Sequence, residues 1–178
     1  RSPEQVGAWF RNTCFSGFTQ RPEITVMGAF SGLELACWDI LDNQRDRAVW
    51  ALLGGMVNEK LRAYSYLYPL QHHPEDAFWS DADMAAESAA ALVDRGYTAV
   101  KFDPAGPYTQ FGGHMPSQSD ISRSVAFCEK IRAAVGDKAD LLVGTHGQFS
   151  TAGAIQLGKA LERFSTIGFE EPNPPDKE

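Results

Sequence analysis

Cysteine is scarce: Cys14, Cys37 and Cys128 are widely spaced and form no CxxC pair. That excludes the density of a secreted disulfide scaffold and predicts buried thiols in a cytoplasmic protein. A positive surplus is also lacking, since 16 Lys and Arg face 23 Asp and Glu for a formal net charge of -7. With no basic run and no RNA-binding signature, a nucleic-acid partner is not expected. No apolar stretch approaches the ~20 residues that cross a bilayer, so no membrane partner is expected either. The chain opens at Arg1 inside a helical pattern, with no signal peptide in view. What is present is ordinary for a globular protein: 178 residues, 43% hydrophobic and 22% charged.

Two textures divide the chain. Residues 1–60 read as helices. Pro3 to Thr13 carries Val6, Trp9 and Phe10 at helical spacing. Glu23 to Leu41 places Ile24, Met27, Leu33, Ala36, Cys37, Ile40 and Leu41 on one apolar face, with Trp38 and Trp50 expected in the core. A third helix, Ala48 to Leu53, stops at Gly54-Gly55. Residues 61–178 alternate instead. "LRAYSYLY", "YTAVKFD", "DLLVGT" and "IGFEEP" read as strands, and the segments between them as helices. Ser119 or Asp120 is the expected N-cap of the second of these helices, and Gly136 its C-cap. Strands alternating with helices imply a parallel α/β sheet, and nearly continuous apolar runs imply strands covered on both faces.

Parallel sheets place their chemistry at the carboxyl ends of the strands. The first strand ends in Tyr66, Tyr68 and Pro69; the second ends "VKFDP", with Lys101 and Asp103 on one face. The third ends "GTHG", presenting His146 between small residues, and the fourth ends "FEEP", presenting Glu170 after an apolar run. Glu171, on the opposite pleat, is expected to face a neighbouring element. Lysine, aspartate, histidine and glutamate at successive strand ends make a set suited to proton transfer and metal binding. The loop "PAGPYTQFGGHMPSQ" is long and rich in Gly and Pro, as loops that cover substrate often are. Tyr108 and His114 are its candidate substrate contacts. His72 and His73 carry no assigned role.

These motifs, in this order, resemble the mandelate racemase and muconate-lactonizing family of the enolase superfamily. "SGLELACWDILDNQRDRAVWALLGG" is similar to that family's helix ending in "LLGG". "GYTAVKFDP", "DLLVGTHGQF" and "IGFEEPNPPD" are similar to its second, third and fourth barrel strands. The resemblance implies an α/β fold. Residues 61–178 would be about four strands of a (β/α)8 TIM-type barrel, and residues 1–60 the helical part of an α+β capping domain. It also implies abstraction of a proton α to a carboxylate, with Mg2+ stabilising the enediolate. A small sugar-acid substrate and a homo-oligomer follow from the same resemblance.

Carried over residue by residue, the family's Lys-x-Lys falls on Lys101 and Asp103, so the second lysine is replaced. Its third-strand metal aspartate falls on Gly144, while His146 matches the acid of galactonate-type dehydratases. Glu170 matches the fourth-strand metal ligand. Asp103, ending the adjacent strand, is the candidate that compensates for Gly144 at the metal; capping the turn at Pro104 is its alternative role. The expectation is a Mg2+-dependent sugar-acid dehydratase with Lys101 and His146 catalytic, and Glu170 and Asp103 at the metal. A racemase or cycloisomerase, a catalytically dead homologue, or a binding module stay open beside it.

Overall fold

The alternation that begins after Leu61 builds a four-stranded sheet, seen in a computed structural model that describes residues 2–14, 24–104 and 113–175. Its strands are β1 (Ser65–Tyr66), β2 (Ala99–Phe102), β3 (Asp140–Gly144) and β4 (Gly168–Glu170), in that spatial order and all parallel. The chain divides into two compact units, Arg1–Leu61 and Arg62–Glu178.

The first unit holds α1 (Val6–Cys14), α2 (Ile24–Arg45) and α3 (Val49–Leu52). Phe30 anchors it, with the Trp9 and Phe10 rings 5.2 and 5.4 Å away. Val6, Phe30 and Leu41 are buried, whereas Leu33 and Ile40 are 53% and 43% exposed. The inward line of α2 is therefore narrower than its apolar periodicity suggests. Trp38 is half-buried with its indole N–H on Glu34, and Trp50 is half exposed, so the sequence expectation of two core tryptophans is not met. By length and composition α2 is also apolar enough to cross a membrane, contrary to the expectation that no segment is. Its carboxylates at Glu34, Asp39 and Asp42, and its ring contacts with α1, fit a packing helix better.

The second unit alternates β1, α4 (Glu75–Phe78), α5 (Ala82–Asp94), β2, α6 (Gln118–Val135), β3, α7 (Thr151–Leu161) and β4. Small side chains let α5 lie close: Ala85, Ala86 and Ala89 are buried, and α5 packs along α6. The N-cap of α6 is Ser117, not Ser119 or Asp120. Its hydroxyl accepts the Asp120 N–H while the Asp120 carboxylate accepts the Ser117 N–H. This reciprocal box satisfies two donors at once, which a cap two residues later would not do. Gly136 closes the helix. The core joins Leu67, Phe78, Val100, Phe102, Ile131, Leu141, Val143, Phe149 and Leu157.

Cys128 lies in this core, where burial pushes its thiol up to about 12, so it stays protonated and inert. Cys37 is half-buried, and the side chain of Cys14 lies outside the described residues. Ile131, with 0% exposure on α6, is the packing residue to test. Ile131→Ala is expected to destabilise the protein by about 2–5 kcal/mol, read as a lowered urea midpoint.

Register sets the working rows. Tyr66, Lys101, Leu142 and Gly168 are mutual partners across the sheet. Cross-strand partners in a parallel sheet share a face, so one pleat-repeat further on Asp103, Gly144 and Glu170 form the next row on that face. A glycine thus stands between two carboxylate-bearing residues.

Candidate active site

Lys101 is the penultimate residue of β2, its side chain only 10% exposed, and its Nζ lies 2.6 Å from Glu170 Oε2. Burial alone would lower its pKa. The hydrogen bond and charge of Glu170, with smaller help from Tyr64 and Asp103, outweigh that and hold the ammonium above the ordinary lysine range. The Lys101 ammonium also sits 5.9 Å from the Tyr66 ring.

Glu170 is 48% exposed at the side chain. In the run before it Gly168 and Phe169 are half-buried and Ile167 is 56% exposed, so it is not the buried run the sequence suggests.

Asp103 leaves β2 with its carboxylate over Gly144. A Cβ built on Gly144 would meet Asp103 Oδ1 at 2.5 Å and Lys101 Cε at 3.2 Å. No side chain fits at 144 while Asp103 holds this position. The other oxygen, Oδ2, lies 3.3 Å from His146 Nε2. The structure therefore brings Lys101, Asp103, His146 and Glu170 together at the carboxyl ends of β2, β3 and β4.

His146 is half exposed and stands on a left-handed backbone, φ 48°. A non-glycine residue seldom adopts that conformation without compensating contacts. Glu171 is likewise left-handed, φ 47°, and its Oε2 comes to 3.8 Å from His146 Nδ1. The expectation that Glu171 faces a neighbouring element on the opposite pleat is corrected here. Alternation holds only for extended backbone, and the chain has already turned at this residue.

His114 pairs with residues after β3: its N–H donates to Gln148 O at 3.1 Å, and its carbonyl accepts from Ser150 N–H at 2.8 Å. Its ring lies against buried Phe149, 5.3 Å between centroids. Tyr108 lies outside the described residues.

Among the described residues, three metal-type ligands gather within 4.8 Å of one another only at His72, His73 and Glu87. Their Nε2 atoms lie 3.1 and 2.9 Å from the two Glu87 oxygens. The His73 hydrogen bond, with smaller help from His72, holds the Glu87 carboxyl below its ordinary range. His73 Nδ1 accepts the Leu70 N–H at 3.2 Å, which leaves the ring proton on Nε2 facing Glu87. A metal-bound histidine keeps its proton on the other nitrogen and donates it outward. The cluster is built as a clasp between the loop after β1 and α5. A groove of about 500 Å3 beside α7 and β4 is lined by Ala154, Ile155, Gly158, Phe169 and Pro172, with Lys159 and Glu162 also on its wall.

Hard oxygen donors suit Mg2+, and the strand-end carboxylates fit it. Glu170 and Asp103 flank Gly144, and the absent Cβ at 144 is what lets Asp103 enter the row.

A parallel sheet carrying a lysine, two carboxylates and a histidine at its carboxyl ends defines a domain of the α/β-barrel class. The chain belongs to the family described as Enolase C-terminal domain-like, which matches residues 83–178. Among solved structures it is similar to a mandelate racemase/muconate lactonizing enzyme from Sulfitobacter sp., with 65% identity, a TM-score of 0.95, and coverage of 99% of this chain and 44% of that one. Another of the same description, from Jannaschia sp., is 61% identical with a TM-score of 0.94, covering 99% and 46%. Among curated relatives, a D-gluconate/D-galactonate dehydratase of Picrophilus torridus is 34% identical over 84% of this chain and 36% of its own length. A D-gluconate dehydratase of Thermoproteus tenax is 27% identical over 97% and 32%. The chain thus spans about a third of the curated relatives it matches.

Proposed function

We propose that the whole protein is a Mg2+-dependent sugar-acid dehydratase. Arg62–Glu178 would supply the first half of its barrel and Arg1–Leu61 the helical part of its capping domain. The observation that carries the reading is His146, held on a left-handed turn at the end of β3 with its imidazole 3.3 Å from the Asp103 carboxylate. An imidazole aimed into a row of carboxylates is placed to give a proton to a leaving hydroxyl. The dehydratases among the relatives support this assignment.

Glu170 and Asp103 would hold the ion. When bound, Mg2+ supplies positive charge that acidifies the C–H next to the substrate carboxylate. A base from the rest of the protein, or Lys101 in its neutral amine form, takes the α-proton, and as a buried ammonium Lys101 orients that carboxylate. His146 then protonates the β-hydroxyl, which leaves as water. The C–H pair becomes the enol π bond, and the enol tautomerises to a 2-keto-3-deoxy acid. Tyr108 and His114, which follow β2 in the sequence, are proposed to contact the sugar hydroxyls.

The full-length protein with Mg2+ and a panel of aldonic acids should form 2-keto-3-deoxy acids, and chelation should stop it. A panel giving no product in the presence of bound Mg2+ would sink the dehydratase reading. The high identity to chains described as mandelate racemase/muconate lactonizing enzymes supports a second reading, racemisation or cycloisomerisation through the same enolate. Exchange of the α-proton without loss of water would select it.

A further inference from the structure

The left-handed turn at His146 needs a cause, and both of its chain neighbours supply one. Thr145 Oγ1 donates to the Glu171 carbonyl at 2.9 Å, and Gly147 N–H donates to the same carbonyl at 2.7 Å. The residues on either side of His146 are therefore tied to one acceptor. That geometry closes the backbone around His146 and throws its ring back toward Asp103. The Thr145 N–H also donates to Glu170 O at 3.1 Å, and its hydroxyl lies 3.3 Å from that carbonyl. Glu171, left-handed itself, turns its carbonyl to receive both donors. Thr145 is 0% exposed, so water does not substitute for the hydroxyl.

We propose that Thr145 is a positioning residue, which fixes the imidazole of His146 relative to Glu170 by tying the end of β3 to the end of β4. The proposal rests on the reading of His146 as the acid. It adds the residue through which that acid is aimed. Thr145 touches neither substrate nor reacting atoms; it acts through the turn.

The test compares Thr145→Val with Thr145→Ser in the full-length enzyme. Valine keeps the branched shape and loses the donor, whereas serine keeps the donor and loses a methyl group. In a crystal structure, Thr145→Val should release His146 from its left-handed φ and move the imidazole by about 1 Å or more, while Thr145→Ser leaves it in place. A misplacement of that size costs about 100-fold in rate. So kcat should fall about that much in Thr145→Val, with KM and Mg2+ affinity changed less than about twofold, and Thr145→Ser should keep wild-type kcat. Should Thr145→Val fail to fold, Thr145→Ala carries the same comparison. An imidazole unmoved in the variants without a hydroxyl overturns the proposal, whatever the enzyme's substrate. So does a displaced imidazole with unchanged kcat. A wild-type enzyme that dehydrates no sugar acid yet shows the imidazole shift overturns the role assigned to His146, and with it the catalytic half of this proposal.

Discussion

His146→Asn in the full-length enzyme is expected to lose dehydration by about 100–10,000-fold while still exchanging the α-proton with solvent deuterium. The reason is a division of labour across the strand ends. Removing the α-proton requires a base and positive charge at the carboxylate, neither of which comes from β3. Expelling the β-hydroxyl requires a proton, because hydroxide is a poor leaving group. His146 is half exposed, within 3.3 Å of Asp103, and flanked by Gly147, so a substrate can reach its ring. Asparagine keeps a polar group near Asp103 but has no transferable proton. The measurement is product formation beside the loss of α-protium by NMR in deuterated buffer. Normal dehydration in the variant would remove His146 from the role of acid. Loss of exchange and dehydration together, with fold and Mg2+ binding intact, would make it the base and favour the racemase reading.

The parts of this site that could be read from sequence are those that obey a period. Lys101 and Asp103 are two apart, and Glu170 closes an apolar run, so the alternation of an extended strand assigns their face. The parallel sheet was legible for a related reason, since β2 and the inward residues Leu141 and Val143 of β3 are covered. What escaped depends on backbone that leaves the period. Glu171 turned back toward His146 because two successive strand ends go left-handed at non-glycine residues, which no alternation rule anticipates. Thr145 is assigned no role by the sequence, because a hydroxyl that satisfies a neighbouring strand's carbonyl has no signature in its own segment. β1 spans only two residues where eight were read as strand, since its register with β2 runs out beyond Tyr66. The Ser117 cap was missed because Ser119 and Asp120 offered the same chemistry two and three residues later.

Moving the carboxylate from β2 to β3 should cost Mg2+ affinity in each single change and restore most of it in the pair. In the present row Asp103 leans across Gly144, and a Cβ at 144 would stand 2.5 Å from Asp103 Oδ1. Only one of the two positions has room for a carboxylate. Asp103→Gly alone leaves Glu170 as the one anionic donor in this row, and Mg2+ affinity is expected to fall at least about tenfold. Gly144→Asp alone forces two like charges into the space of one and crowds Lys101 Cε as well. It should weaken the metal site and lower thermal stability together. The paired variant, Asp103→Gly with Gly144→Asp, returns a single carboxylate to the row from the neighbouring strand. Its affinity should recover most of what either single change removes, a strong coupling of the kind expected between residues in contact. Calorimetric titration of the full-length variants with Mg2+ measures all three without reference to substrate. Wild-type affinity in Asp103→Gly would reduce Asp103 to a cap on the turn at Pro104. A paired variant no better than Gly144→Asp would show that relieving the clash does not restore the site, and that the carboxylate must come from β2.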